Sequence, residues 1–279
     1  MKEVIVMKSK IVAMMYDFDK TLCTKDMQEF SFIPEYLGMD TKEFWKEVIT
    51  FTNQEDMDPI LAYLRVMIEK SEQLNKPIKR DELVKMGKSI EFFAGVETWF
   101  ERMNQYADAL GIELEHYVIS SGLTEIVEGT SINSYFKRVY ACEFLYNGEG
   151  NAYWPKLAVN YTAKTQFLFR INKGVLEIVN DRDVNSYLKE EDRRVPFENM
   201  IYIGDGITDV PCMKLVKEYG GHSIVVYNGG QSEIATQLYQ DGRVNFMMEA
   251  NYVENGQAEE LCKSILRLIS TRNMLDDYR

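Results

Sequence analysis

The run Ile11-Val12-Ala13-Met14-Met15-Tyr16, followed at once by Asp17-Phe18-Asp19-Lys20-Thr21, constrains this chain more than any other stretch. Six consecutive apolar residues predict a buried strand. Alternation in an extended backbone then sets both carboxylates on one side, at the strand's carboxyl end. Open parallel sheets place their chemistry at that edge. One carboxylate can attack an electrophile while the second handles protons, so the spacing is that of covalent catalysis. Aspartates also favour turns and helix N-caps, so the companions of this pair must decide the matter.

Two further segments have the same grammar. Val118-Ile119-Ser120-Ser121-Gly122 predicts a strand ending in hydroxyls and a glycine. Met200-Ile201-Tyr202-Ile203-Gly204-Asp205-Gly206-Ile207-Thr208-Asp209 predicts another, ending in Gly-Asp-Gly and a further aspartate. Between them, Lys164 heads a segment of helical pattern that runs to Lys173 and stops at Gly174. The alternation of strands and helices implies a parallel sheet. Its shared edge would gather Asp17, Asp19, Ser120, Lys164, Asp205 and Asp209 in one crevice.

This set resembles the haloacid dehalogenase-like hydrolase superfamily, most closely its phosphatases of the phosphoserine phosphatase type. The matching residues are Asp17-x-Asp19-x-Thr21, Ser120 after its strand, Lys164 heading its helix, and Gly204-Asp205-Gly206-x-x-Asp209, in the family's order. The resemblance implies an α/β fold, with a Rossmann-like three-layer core on a mostly parallel sheet and an inserted all-helical cap. It implies a core of residues 1–23 and 95–279 and a cap of residues 24–94. The interval from Lys164 to Asp205 is longer than in compact family members, the excess being the charged stretch 180–194. That length makes Lys173 a rival to Lys164, although a lysine beside Gly174 is better explained as a helix C-terminal cation.

The resemblance also assigns roles. Asp17 would be the nucleophile that forms an aspartyl-phosphate, and Asp19 the acid and then the base. Thr21 would hydrogen-bond the loop beside the phosphate. Ser120 and the N–H groups of Ser121 and Gly122 would hold phosphoryl oxygens, a geometry that equally suits Ser120 as a plain N-cap. Lys164 would neutralise the phosphate and Asp17. The aspartate cluster, free of Cys and His competitors, points to Mg2+. The implied ligands are Asp17, the backbone carbonyl of Asp19 and Asp205, with Asp209 beside them or alternating as a ligand. The expected activity is hydrolysis of a small phosphomonoester. Transfer of the phosphoryl group to an alcohol, or silent phosphate binding by a regulator, would use the same groups.

Composition narrows the remaining possibilities. With 279 residues, 46% apolar and 27% charged, the chain can bury a full core. A net charge of −12 without a basic stripe argues against nucleic-acid or anionic-membrane partners. Cys23, Cys142, Cys212 and Cys262 lack CxxC spacing, so reduced thiols in a cytoplasm are expected.

Along the chain, Phe30, Ile33, Tyr36 and Leu37 predict a first insert helix. Phe44, Trp45, Val48, Ile49 and Phe51 predict a second after Asp40-Thr41, and Ile60 to Leu74 a third opening at Asp58-Pro59. A shorter helix is expected after Asp81. Gly95 marks the return to the core, with a helix over Val96 to Leu110. Val139 to Tyr146 enters a hairpin with Ala152–Trp154, Ser223–Tyr227 is the last strand expected, and Leu261 to Ile269 form a terminal helix.

Overall fold

The computed structural model describes residues 10–230, 232–276 and 278. Its strands are β1 (Lys10–Tyr16), β2 (Ile112–Leu123), β3 (Phe136–Tyr146), β4 (Ala152–Leu157), β5 (Met200–Gly204), β6 (His222–Tyr227) and β7 (Phe246–Glu249). They form one sheet in the order β4-β3-β2-β1-β5-β6-β7. Only β4 runs antiparallel to its neighbour. The three strands read from apolar runs are therefore adjacent, with β1 between β2 and β5. Tyr16 pairs with Val118 on one side and Ile203 on the other, so all three strands deliver their next residues to the same edge.

Helices complete an α/β, Rossmann-like arrangement. Between β1 and β2 come α1 (Thr41–Glu55), α2 (Pro59–Gln73), α3 (Arg80–Met86) and α4 (Val96–Ala109). The segment α5 (Thr124–Glu128) follows β2, and α6 (Lys164–Lys173) and α7 (Asp181–Asn185) precede β5. After β5 come α8 (Val210–Glu218), then α9 (Glu233–Gln240) between β6 and β7, and finally α10 (Gln257–Asp276). The helix α4 packs on β2 and on α10, while α8 packs on β5, β6 and α6.

The helical insert leaves and rejoins the core through two paired connections. Thr24 N–H donates to Glu91 O at 3.0 Å, and Phe93 N–H donates to Leu22 O at 3.0 Å. Its first two α-helices start where the sequence directs. Asp40 accepts from the N–H groups of Lys42 and Glu43, and Asp58 from those of Ile60 and Leu61, with Pro59 at the first turn. The insert is seated on the core by Ala152 N–H to Ile78 O at 2.8 Å and by Asn160 Nδ2 to Asp58 Oδ2 at 2.9 Å.

Three expectations need correction. The first insert helix is not α-helical: Met27–Glu29 is a 3-10 turn, and Phe32–Tyr36 a π turn with Leu37 N–H donating to Phe32 O. Apolar spacing alone cannot distinguish such compact turns from an α-helix. Ile49 is 60% exposed rather than buried with its helix neighbours. Ser223–Tyr227 is not the last strand, because Phe246–Glu249 adds β7 beyond it.

A buried polar relay ties β1, β2 and α4 together. His116 Nδ1 lies 3.1 Å from Tyr16 Oη and Nε2 lies 3.0 Å from Asn104 Oδ1, while Trp99 Nε1 donates to Tyr16 Oη at 3.0 Å. Burial pushes His116 down to about 3, well below its ordinary value. In the unfolded chain the ring binds a proton near pH 6.5, so acidification favours the unfolded state. The contribution of His116 is therefore intact above about pH 6.5 and is lost progressively toward about pH 3. Urea titrations across that window should show His116→Gln losing less stability on acidification than the unsubstituted protein. Identical slopes would mean that His116 does not stay neutral in the fold.

Candidate active site

The site begins with the loop that ends β1. Phe18 is fully buried, and its carbonyl accepts the N–H groups of Leu22 at 2.9 Å and Cys23 at 3.2 Å. That tight turn places Asp17 and Asp19 on either side of a buried ring. Lys20 holds a left-handed backbone (φ 56°) and pairs with Asp26 at 2.7 Å. Asp17 N–H donates to Ile203 O at 2.9 Å, which fastens the first aspartate to β5.

The third segment meets it there. Gly204 ends β5, and a Cβ at this position would stand 2.6 Å from Cγ of Asp209, so only glycine lets that carboxylate fold back over the strand. Tyr202, in the middle of β5, donates its hydroxyl to Asp209 Oδ1 at 2.8 Å. Sequence reasoning missed this residue, although a tyrosine inside a fully buried strand needs a partner for its hydroxyl.

Lys164 closes the constellation. The turn before α6 is held by Asn160, whose Oδ1 accepts Ala163 N–H at 2.9 Å and whose carbonyl accepts Lys164 N–H at 3.0 Å. The Lys164 ammonium, 1% exposed, donates to Asp17 Oδ1 at 3.0 Å and to Asp209 Oδ1 at 2.8 Å. Burial works against its charge, but the two carboxylates outweigh that and hold it above the ordinary lysine range. Lys173 is elsewhere, donating to the carbonyls of Val184 at 2.7 Å and Ser186 at 2.6 Å near the end of α7. Of the two lysines, Lys164 is the one that lies beside the aspartate cluster.

Asp17, Asp205 and Asp209 each offer a carboxylate oxygen within 4.8 Å of the others. Burial, then Asp209, raise Asp17 to about 6 against the pull of Lys164. Burial, then Asp17 and Asp209, raise Asp205 to about 8. Burial, then Asp26 and Asp17, push Asp19 well above the usual carboxylate range. With all three carboxylates ionised, one ammonium against them would leave a deficit of two positive charges, that of a single divalent cation. Asp209 Oδ2 is buried and has no hydrogen-bond partner among the described residues. Hard oxygen donors, a two-charge deficit and an orphaned carboxylate oxygen fit a divalent metal of the Mg2+ kind.

The Asp19 side chain stands apart from this trio, its Oδ1 accepting Met27 N–H at 2.8 Å. Gly122 abuts it, since a Cβ on Gly122 would lie 3.0 Å from Asp19 Oδ2 and 2.7 Å from Met27 Sδ. Ser120 is fully buried, and its Oγ accepts Gly122 N–H at 3.0 Å. It is not an N-cap, because α5 starts later with Leu123 in that position and no side-chain cap bond. Instead the pairing of β2 with β3 shifts between Ile119 and Leu123, a bulge that releases Ser120–Gly122 from the ladder at the site. Ser121 Oγ donates to Val159 O at 2.8 Å. Thr21 is buried beside the loop, with its carbonyl accepting from Tyr252 Oη at 2.8 Å, and its hydroxyl has no partner among the described residues. A cavity of about 550 Å3 opens over Asp17, Asp19, Ser121, Lys164 and Asp205 and is also lined by insert residues.

A mostly parallel sheet whose two central strands lead into an aspartate cluster around a buried lysine defines a class of hydrolases. The haloacid dehalogenase-like hydrolase family model matches residues 14–214, which span all the motif residues named above, and the chain belongs to this family. An uncharacterized protein from Borreliella burgdorferi is 27% identical over 296 residues, covering 92% of this chain and 99% of its own. Among solved structures, a probable phosphoserine phosphatase from Vibrio cholerae aligns with TM-score 0.61 and 12% identity, over 94% of this chain and 67% of its own. A HAD family hydrolase from Salmonella enterica serovar Typhi aligns with TM-score 0.58 and 15% identity, over 92% and 72%. A substrate-bound phosphoserine phosphatase aligns with TM-score 0.56 and 14% identity, over 86% and 93%. The fold is thus that of phosphoserine phosphatase-like members of the family.

Proposed function

We propose that this protein is a Mg2+-dependent phosphatase that hydrolyses a small phosphomonoester through an aspartyl-phosphate on Asp17. The observation that carries this reading is the buried Lys164 ammonium bridging Asp17 and Asp209, with Asp205 in the same cluster. Asp17 and Asp205 would hold the metal with the backbone carbonyl of Asp19, and Asp209 would complete or support the set. When bound, the ion would neutralise phosphoryl charge and fix the orientation of the transferred group.

The chain's own groups do the rest. A carboxylate oxygen of Asp17 attacks phosphorus as the bond to the leaving oxygen breaks, and Asp19 supplies that oxygen with a proton. Asp19 then takes a proton from water, which attacks the phosphorus, frees inorganic phosphate and restores the Asp17 carboxylate. Lys164 draws off negative charge at the phosphoryl oxygens and keeps Asp17 ionised. Ser120, whose Oγ is oriented by the Gly122 N–H, and the N–H of Ser121, on the β2 bulge, cradle the same oxygens, with Thr21 supporting the loop. Residues 24–94 serve as the cap over this crevice on residues 1–23 and 95–279, excluding water during the first transfer.

The metal test is direct. Release of phosphate from a generic aryl phosphate should vanish with excess chelator and return with Mg2+ but not with Ca2+, whose larger and looser shell would misplace the attacking oxygen. With an acceptor alcohol present, the product should remain inorganic phosphate rather than a new ester. Full turnover in excess chelator would contradict the proposal.

A further inference from the structure

Two hydrogen bonds tie helix α2 of the insert to segments that build the site. At its start, Asp58 Oδ2 accepts from Asn160 Nδ2 at 2.9 Å, and Asn160 in turn holds the start of α6, where Lys164 stands. Further along, Tyr63 is 3% exposed and donates its hydroxyl to the Ser121 carbonyl at 2.6 Å. Tyr63 and Ser121 both line the cavity over Asp17.

The chain geometry explains why that carbonyl takes a partner from the insert. Ser121 lies beyond the last pair of β1 with β2, Tyr16 with Val118, and inside the shift between β2 and β3. Its carbonyl is served by side chains: the Tyr63 hydroxyl, and the Cys142 thiol at 3.3 Å, a weak donor. The Ser121 carbonyl and the Gly122 N–H belong to one planar peptide unit, so anchoring the first sets the direction of the second. That N–H donates to Ser120 Oγ at 3.0 Å. With one lone pair of Ser120 Oγ so occupied, the direction left to its own hydrogen is set as well.

We infer that Tyr63 is a positioning residue for phosphoryl transfer: its hydroxyl, reaching in from the insert, fixes the Ser121–Gly122 peptide and through it the direction of the Ser120 hydroxyl. The inference rests on the phosphatase reading and adds a residue to that same site. The insert then takes part in the phosphoryl cradle as well as covering it.

The test uses the Mg2+-loaded protein, a generic aryl phosphate, and orthovanadate, which takes up the five-coordinate geometry of a phosphoryl group in transfer. Tyr63→Phe keeps the ring against Trp45, whose centroid lies 6.1 Å away, and removes only the hydroxyl. Both kcat/KM and vanadate affinity should fall about tenfold, the worth of one hydrogen bond to developing charge. Ser120→Ala should cost a similar factor. In the double variant the loss should stay within about twofold of Ser120→Ala alone, because Tyr63 acts through Ser120. Losses that multiply to about a hundredfold in the double variant would overturn the inference. Undiminished vanadate affinity in Tyr63→Phe would do the same. Mg2+ affinity, read by calorimetry without ester or vanadate, should be equal in the variants and the unsubstituted protein. Its loss in Tyr63→Phe would mean that the hydroxyl merely supports the fold, and would also overturn the inference. Each of these results leaves the phosphatase reading intact. Failure of the unsubstituted protein to hydrolyse any aryl phosphate with Mg2+ would instead sink that reading, and the inference with it.

Discussion

Asp17→Asn should reduce phosphatase turnover by roughly a thousandfold or more, because it removes the attacking charge while keeping the side chain's shape. The fold gives no reason for a parallel loss of stability. The backbone N–H of Asp17 still bonds Ile203 O, and Lys164 still has Asp209. One of three crowded carboxylates is also gone. Thermal unfolding of the metal-free variant should therefore lie close to that of the unsubstituted protein, which separates a chemical defect from a folding defect. Asp19→Asn should behave differently. With a leaving group that needs no protonation, Asp17 can still be phosphorylated, so a burst of one product per site should precede a slow steady state. Near-normal turnover by Asp17→Asn would remove the nucleophile from the mechanism.

Lys164→Met should lose both activity and stability. The ammonium is fully enclosed and holds two buried carboxylates at 3.0 and 2.8 Å, so its removal leaves them facing each other without compensation. Breaking a buried pair in this way costs about 3–5 kcal/mol. The metal supplies a control that an ordinary core defect would lack. A site that has lost its one internal cation should gain more from a divalent ion, so Mg2+ should raise the unfolding temperature of the variant more than that of the unsubstituted protein. An equal Mg2+ effect in the two proteins would show that Lys164 and the metal do not share the Asp17 and Asp209 charges. Loss of activity with no loss of stability would place Lys164 in a looser setting than the structure describes.

The local half of the site was legible because its signals are local. An apolar run that ends in carboxylates reports both a buried strand and the sheet edge to which those carboxylates are delivered, as at Tyr16-Asp17 and Ile203-Gly204-Asp205. Helix starts at Asp40 and Asp58-Pro59 were equally readable, since a cap is made by residues two or three positions apart. The short π turn at Phe32–Tyr36 was not, because an apolar spacing of three and four is met by more than one kind of turn. Nor was β7, whose four residues become a strand only by pairing with β6.

The sequence by itself determined the family, the order of the motif residues and the strands that carry them. Only the tertiary structure decided which lysine enters the site, because Lys164 and Lys173 lie on one helix and differ in what other segments bring to each. Asp17 and Asp209 come from β1 and from the turn after β5, whereas the carbonyls of Val184 and Ser186 come from the charged stretch.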